Sequence, residues 1–156
     1  MIRTAARTQP DHEIERRIEL RMARQQLIER EDEPLQVWSV LDEAVLHRQV
    51  GGVEVLREQL DRLVKLAERP NIDLQVLPAA AGAHVAGEGT FTLVTFPPEL
   101  DSDPGVVYVE TLARDIYFED SADILLYRQA LTRLQVQALT PEESPSMIKR
   151  IAEELR

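Results

Sequence analysis

Cysteine is missing from all 156 residues, which removes disulfides, thiolate zinc sites and a cysteine nucleophile from the chemistry open to the chain. Stability has to come from packing. Lysine is nearly missing as well, present only at Lys65 and Lys149, so arginine carries the positive charge, with seven arginines between Arg3 and Arg30. No apolar run approaches the roughly 20 residues that cross a bilayer. The first residues also lack the apolar core of a secretory signal, so the chain is expected in the cytoplasm. There is no phosphate loop, no GxGxxG and no serine elbow.

What is present bounds the rest. A hydrophobic content of 44% over 156 residues is enough for one domain with a proper core. That domain is expected over residues 11–156, with residues 1–10 as a tail or truncated lead-in. The net charge of −10 opposes close approach to a nucleic-acid backbone. The arginine-rich end could meet an acidic partner. A solvated helix face is the favoured reading, since Glu13 and Arg17 stand at helical pairing distance.

Periodicity predicts an α+β, mixed α/β fold: one mixed sheet of about five strands packed with amphipathic helices, helical at both termini. From Asp11, a fair cap, strong helix formers run to Arg30. One stripe there is Ile14, Ile18 and Met22, and a second is Leu20 and Leu27. Two stripes need two neighbours, such as the sheet plus a partner or a second copy, unless the helix is deeply packed. Leu35 to Leu41 has apolar residues on both sides and reads as an interior strand covered twice. Gly51-Gly52 break the chain before Val53 to Arg69, whose Leu56, Leu60, Leu63, Val64 and Ala67 share the face expected to pack on the sheet. Ile72 to Leu77 alternates, with Asp73 and Gln75 outward, and strand, helix, strand points to a right-handed crossover.

The glycine-spaced Ala79 to Gly89 should be a loop over the sheet end. Thr90 to Phe96, Val106 to Thr111 and Asp115 to Phe118 form an antiparallel meander, with the turn-rich PPELDSDPG between the first two. Asp120-Ser121 caps a helix with a seam of Ile124, Tyr127, Leu131, Leu134 and Ala138 for one other helix. Thr140-Pro141-Glu142-Glu143 is a capping box. It opens a last helix, starting at Ser144 if Pro145 disturbs it, with Ile148, Ile151 and Leu155 on one face.

Asp42, Glu43, His47 and Arg48 follow where the Leu35 strand should emerge, and His84 sits in the glycine-spaced loop. Asp42, Glu43 and Glu110 could supply a paired-carboxylate acid and base if the strand ends meet, with His47 as a proton acceptor. Carboxylates at strand ends also cap turns or pair with arginines, here Arg48 or Arg114. No histidine has a second histidine or a carboxylate at metal-site spacing, so no metal and no cofactor are expected.

The segments ERRIELRMARQ, VLDEAVLHRQVGG, LREQLDRLVKLAERPNIDLQVLP, AGAH, FTLVTF, VVYVET and TPEES followed by IKRIAEEL resemble, in order and spacing, a known family. It is the actinobacterial Scr-type antitoxin-like domain of unknown function that usually follows an Xre-type helix-turn-helix. The resemblance implies regulatory proteins of streptomycete-like bacteria, often encoded beside small partner proteins, with this domain sensing a partner or ligand. The positions it carries over are Asp42, Glu43, Arg48, Gly51, Gly52, Gly82, His84, Tyr108 and Glu110, and it assigns none of them a catalytic role. The DNA-reading helices and a GLLQT-like lead-in have no counterpart in a sequence that begins MIRTAART, so the chain is expected to be a fragment or a solitary form. Ala79-Ala80 stands where a bulkier residue is common, which should enlarge any pocket beside the loop. Gln49 stands where proline is frequent, and Pro145 lies inside the last helix.

Two functions follow as expectations. The first is the effector- or partner-binding domain of a transcriptional regulator, with a small partner protein or small molecule as occupant, a possible homodimer, and no direct binding of nucleic acid or membrane. The alternative is a solitary member recruited as a small-molecule-binding protein or enzyme in natural-product metabolism, with Asp42, His84 and Glu110 as its catalytic groups. In either case the binding surface is expected at Asp42, Glu43, His47, Arg48, His84, Tyr108 and Glu110, where strand ends converge.

Overall fold

The computed structural model describes residues 11–97 and 104–155. The expected tail at 1–10 and the middle of the PPELDSDPG turn lie outside them. Within the described residues the fold is mixed α+β. The expected single sheet is corrected: the five strands form a two-stranded sheet, β1 (Val37–Asp42) with β2 (Ile72–Leu77), and a separate three-stranded sheet in the order β3 (Thr92–Val94), β4 (Val106–Glu110), β5 (Asp115–Phe118). The chain divides into two compact units, residues 11–76 with 140–155, and residues 77–139. No described helix is long and apolar enough to cross a membrane.

The first unit opens with α1 (Asp11–Glu29). Of its two stripes, Ile14 is buried and Ile18 half-buried, while Leu20, Met22 and Leu27 are exposed. Its C-terminal end is anchored by polar contacts. The Ile28 carbonyl accepts from Arg69 at 3.2 Å and from the Asn71 side chain at 3.1 Å, and that buried side chain also donates to the Leu35 carbonyl at 2.8 Å. Arg62 pairs with Glu29 at 2.5 Å.

β1 is not the interior strand expected. It has one hydrogen-bonded neighbour, and its Trp38 is 53% exposed. β2 is the buried strand instead, with Leu74, Gln75, Val76 and Leu77 all inside. Gln75, expected outward, is tolerated there because its Oε1 accepts from Trp38 Nε1 at 2.7 Å, which satisfies a buried polar group.

After the short α2 (Glu43–Leu46), Gly51 and Gly52 take φ of +92° and +98°, a region that favours glycine, and Gly52 caps α3 (Val53–Ala67). α3 buries Leu56, Leu60 and Val64. Its principal partner is α5 (Ser144–Glu154) and not the sheet, with Met147, Ile148, Ile151 and Ala152 buried on α5. Leucine and isoleucine stripes of matching length close on each other more fully than on a two-stranded sheet. The capping box forms reciprocally: Thr140 N donates to Glu143 Oε2 at 3.1 Å, and Glu143 N to Thr140 Oγ1 at 3.3 Å. Ser144, fully buried, starts the helix. Its hydroxyl donates to the Thr140 carbonyl at 2.8 Å and accepts from Val76 N at 2.9 Å, locking α5 to β2.

The second unit contains two 3-10 turns, Ala79–Ala81 and Val85–Glu88, where a structureless loop was expected. The antiparallel meander β3-β4-β5 then forms as read from the sequence. Gly105, at φ +100°, lies so close to the Val94 carbonyl that a Cβ would collide with it. Asp120 caps α4 (Ser121–Gln137), its carboxylate accepting from Ala122 N at 2.8 Å. The seam is real, with Ile124 and Leu134 buried, but it faces β3, β4 and the second 3-10 turn, not one other helix. Arg128 donates to the Pro104 carbonyl at 3.2 Å.

Candidate functional site

The residues expected to form one rim fall in different units. Asp42, Glu43, His47 and Arg48 belong to the first, and His84, Tyr108 and Glu110 to the second. Asp42 does what strand-end carboxylates commonly do: its Oδ1 accepts from Ala44 N at 2.7 Å and caps α2. Glu43 Oε1 lies 3.7 Å from His47 Nε2 across one helical turn. His47 and Arg48 are exposed. The first unit therefore uses part of this polar exit to end a strand and start a helix. Among the described residues no group of three histidine or carboxylate side chains is placed to hold a metal.

In the second unit the strand register separates His84 from the other two. Tyr108 pairs with Tyr117, and Glu110 with Asp115, which places all four side chains on one sheet face. The Tyr108 and Tyr117 rings lie 5.3 Å apart. Partial burial, then the hydrogen bond with Asp115, then the charges of Glu110 and Asp115 and the neighbouring Tyr117 push the Tyr108 phenol above its ordinary range. The opposite face carries Val107 and Val109, paired with Phe118 and Ile116. α4 covers that face, with the Phe118 and Tyr127 rings 5.4 Å apart.

A cavity of the unit lies on that second face. An open pocket of about 500 Å³ lies between α4, the start of β3 and the second 3-10 turn, lined by Val85, Phe91, Val109, Leu126, Tyr127 and Ala130, with Thr90, Gln129 and Arg133 among its polar groups. Phe91 packs on Tyr127 at 5.0 Å between ring centroids, tilted by 59°, so the aromatic wall is already assembled. A second, more open depression of about 560 Å³ shares Val85 and Arg133 with the first and is bordered by His84, Thr132 and Val136. Of the residues singled out in the sequence, His84 borders this region. Tyr108 and Glu110 lie on the far face of the sheet.

A family model for a domain of unknown function, DUF5753, matches residues 1–150. The chain belongs to that family. No curated protein and no solved structure matches it. In this family member the pocket residues Phe91, Tyr127 and Arg133 escaped sequence reasoning. Tyr127 was visible only as part of the α4 seam. The readable signal was a second row on the same helix, Leu126, Ala130, Arg133 and Val136, at spacings of four, three and three. An arginine inside an apolar row marks where that row meets a polar ligand or solvent.

Proposed function

We propose that the chain is the effector- or partner-binding domain of a transcriptional regulator, and that contact with DNA is not its task. The observation that carries the binding role is the preassembled pocket against α4: about 500 Å³ is in the range of small-molecule sites, apolar with a few polar groups. The resemblance to Scr-type antitoxin-like regulators supports the regulatory setting and its actinobacterial source. Net charge of −10 supports leaving DNA to other helices. The catalytic alternative gains no support from the polar residues, since Asp42 is engaged as a helix cap and Glu110 shares a sheet face with Tyr108 away from the pocket.

The purified chain should bind the neutral solvatochromic dye Nile red saturably, at one dye per chain, with a blue shift in emission. Ala130→Trp, which fills the pocket from α4, should abolish that signal while leaving the circular dichroism melt in place. Dye binding that is unsaturable, or indifferent to Ala130→Trp, would remove the pocket from consideration.

A further inference from the structure

We infer that the pocket against α4 takes a small aromatic or alicyclic anion, a ring of one or two fused cycles bearing a carboxylate, with Arg133 as the group that selects the charge. The inference rests on the binding role proposed above and adds the ligand's chemical class. Three observations carry it.

The first is size and lining. A space of about 500 Å³ walled by the Phe91 and Tyr127 rings and by Val109 accommodates a flat apolar body and offers it stacking surfaces. The second is the position of the cation. Arg133 borders both this pocket and the neighbouring depression and is exposed, so it stands where the apolar bed meets solvent. A carboxylate on the ring would emerge there. The planar fork of a guanidinium matches a carboxylate with two parallel hydrogen bonds.

The third is charge. Glu43 lies beside His47, Glu54 pairs with Arg57 and Glu29 with Arg62, and among the described residues no carboxylate pairs with Arg133. In a chain of net charge −10, Arg133 stands at the pocket mouth without an acidic partner among the described residues. It favours an incoming anion over a neutral or cationic ligand.

Titration calorimetry with 2-naphthoate and its neutral isostere 2-naphthamide tests the inference on the intact chain. Because Arg133 is exposed, the charge preference should be that of a solvent-screened pair, roughly fivefold in Kd for naphthoate over naphthamide, and it should shrink as salt rises. Arg133→Gln should erase the preference of naphthoate over naphthamide, and Arg133→Lys should restore part of it. Ala130→Trp should abolish binding of both; where it lowers the melting temperature, Gln129→Trp, at an exposed position on the same wall, replaces it. Equal affinity for the two probes in the native chain, with both lost in the tryptophan variant, overturns the anionic class and leaves the pocket standing. Absence of binding by either probe, or binding that ignores the tryptophan variants, overturns the inference and the proposed binding role together.

Discussion

Tyr108, expected from the sequence at the binding surface, sits apart from the cavity. Alternation along β4 put it on one face with Glu110, and the register adds Asp115 and Tyr117 to that face. Burial and two carboxylates oppose formation of a phenolate there, so the folded chain holds the proton more tightly than the unfolded chain does. Because the folded value is raised, the associated stability is fully present below about pH 10, the unfolded tyrosine value. It is lost as pH rises through the folded value. The ultraviolet difference titration of the native chain against Tyr108→Phe should show the Tyr108 phenol ionising above the ordinary tyrosine range, and Asp115→Ala, which removes both a hydrogen-bond partner and a charge, should bring it back toward that range. A Tyr108 phenol that titrates in the ordinary range in the native chain would contradict the assignment.

Elements were chosen by local chemistry and paired by tertiary fit. The reciprocal bonds between Thr140 and Glu143 and the Asp120 cap are short-range events that the residues themselves specify. The partner of each helix is a different matter. α3 and α4 both carried faces that read as needing a neighbour, yet α3 closes on α5 while α4 closes on a three-stranded sheet. The two kinds of contribution should separate on mutation. Ile148→Ala empties a fully buried position in the α3–α5 contact and should cost about 2–5 kcal/mol. Thr140→Ala removes one cap and should cost about 1 kcal/mol. Urea denaturation of the two variants reads the difference, and equal losses would place more of the energy in capping than the packing allows.

At the scale of the whole molecule, net charge limits what the chain can closely approach. With −10 spread over 156 residues, a phosphate backbone is repelled, and the arginines of α1 are interleaved with glutamates along the same helix. In a gel shift at ordinary salt the purified chain should give no sequence-specific retardation of duplex DNA. Specific retardation would show that this domain itself reads bases, and the regulator proposal would have to be rebuilt around a DNA-contacting surface.

Residue order alone determined the four long helices, though not the short α2, all five strand positions, the antiparallel meander, the caps at Asp120 and Thr140 and the break at Gly51-Gly52, because each depends on neighbours within a turn or a hairpin. His84 was likewise legible as a residue of the glycine-spaced segment, and it borders the more open depression. Sheet membership was not, since a strand's pattern says that a face is covered but not by which element. For that reason β1 and β2 changed places between surface and interior, and Gln75 could go inside once Trp38 reached it. The pocket was decided at the same level. Phe91, Val109, Tyr127 and Arg133 come from three separate segments, and only the packing of α4 against one chosen face of β3-β4-β5 brings them around a common space. Tyr108 and Glu110, one residue away from Val109 on either side, were turned from it by the two-residue period of the strand.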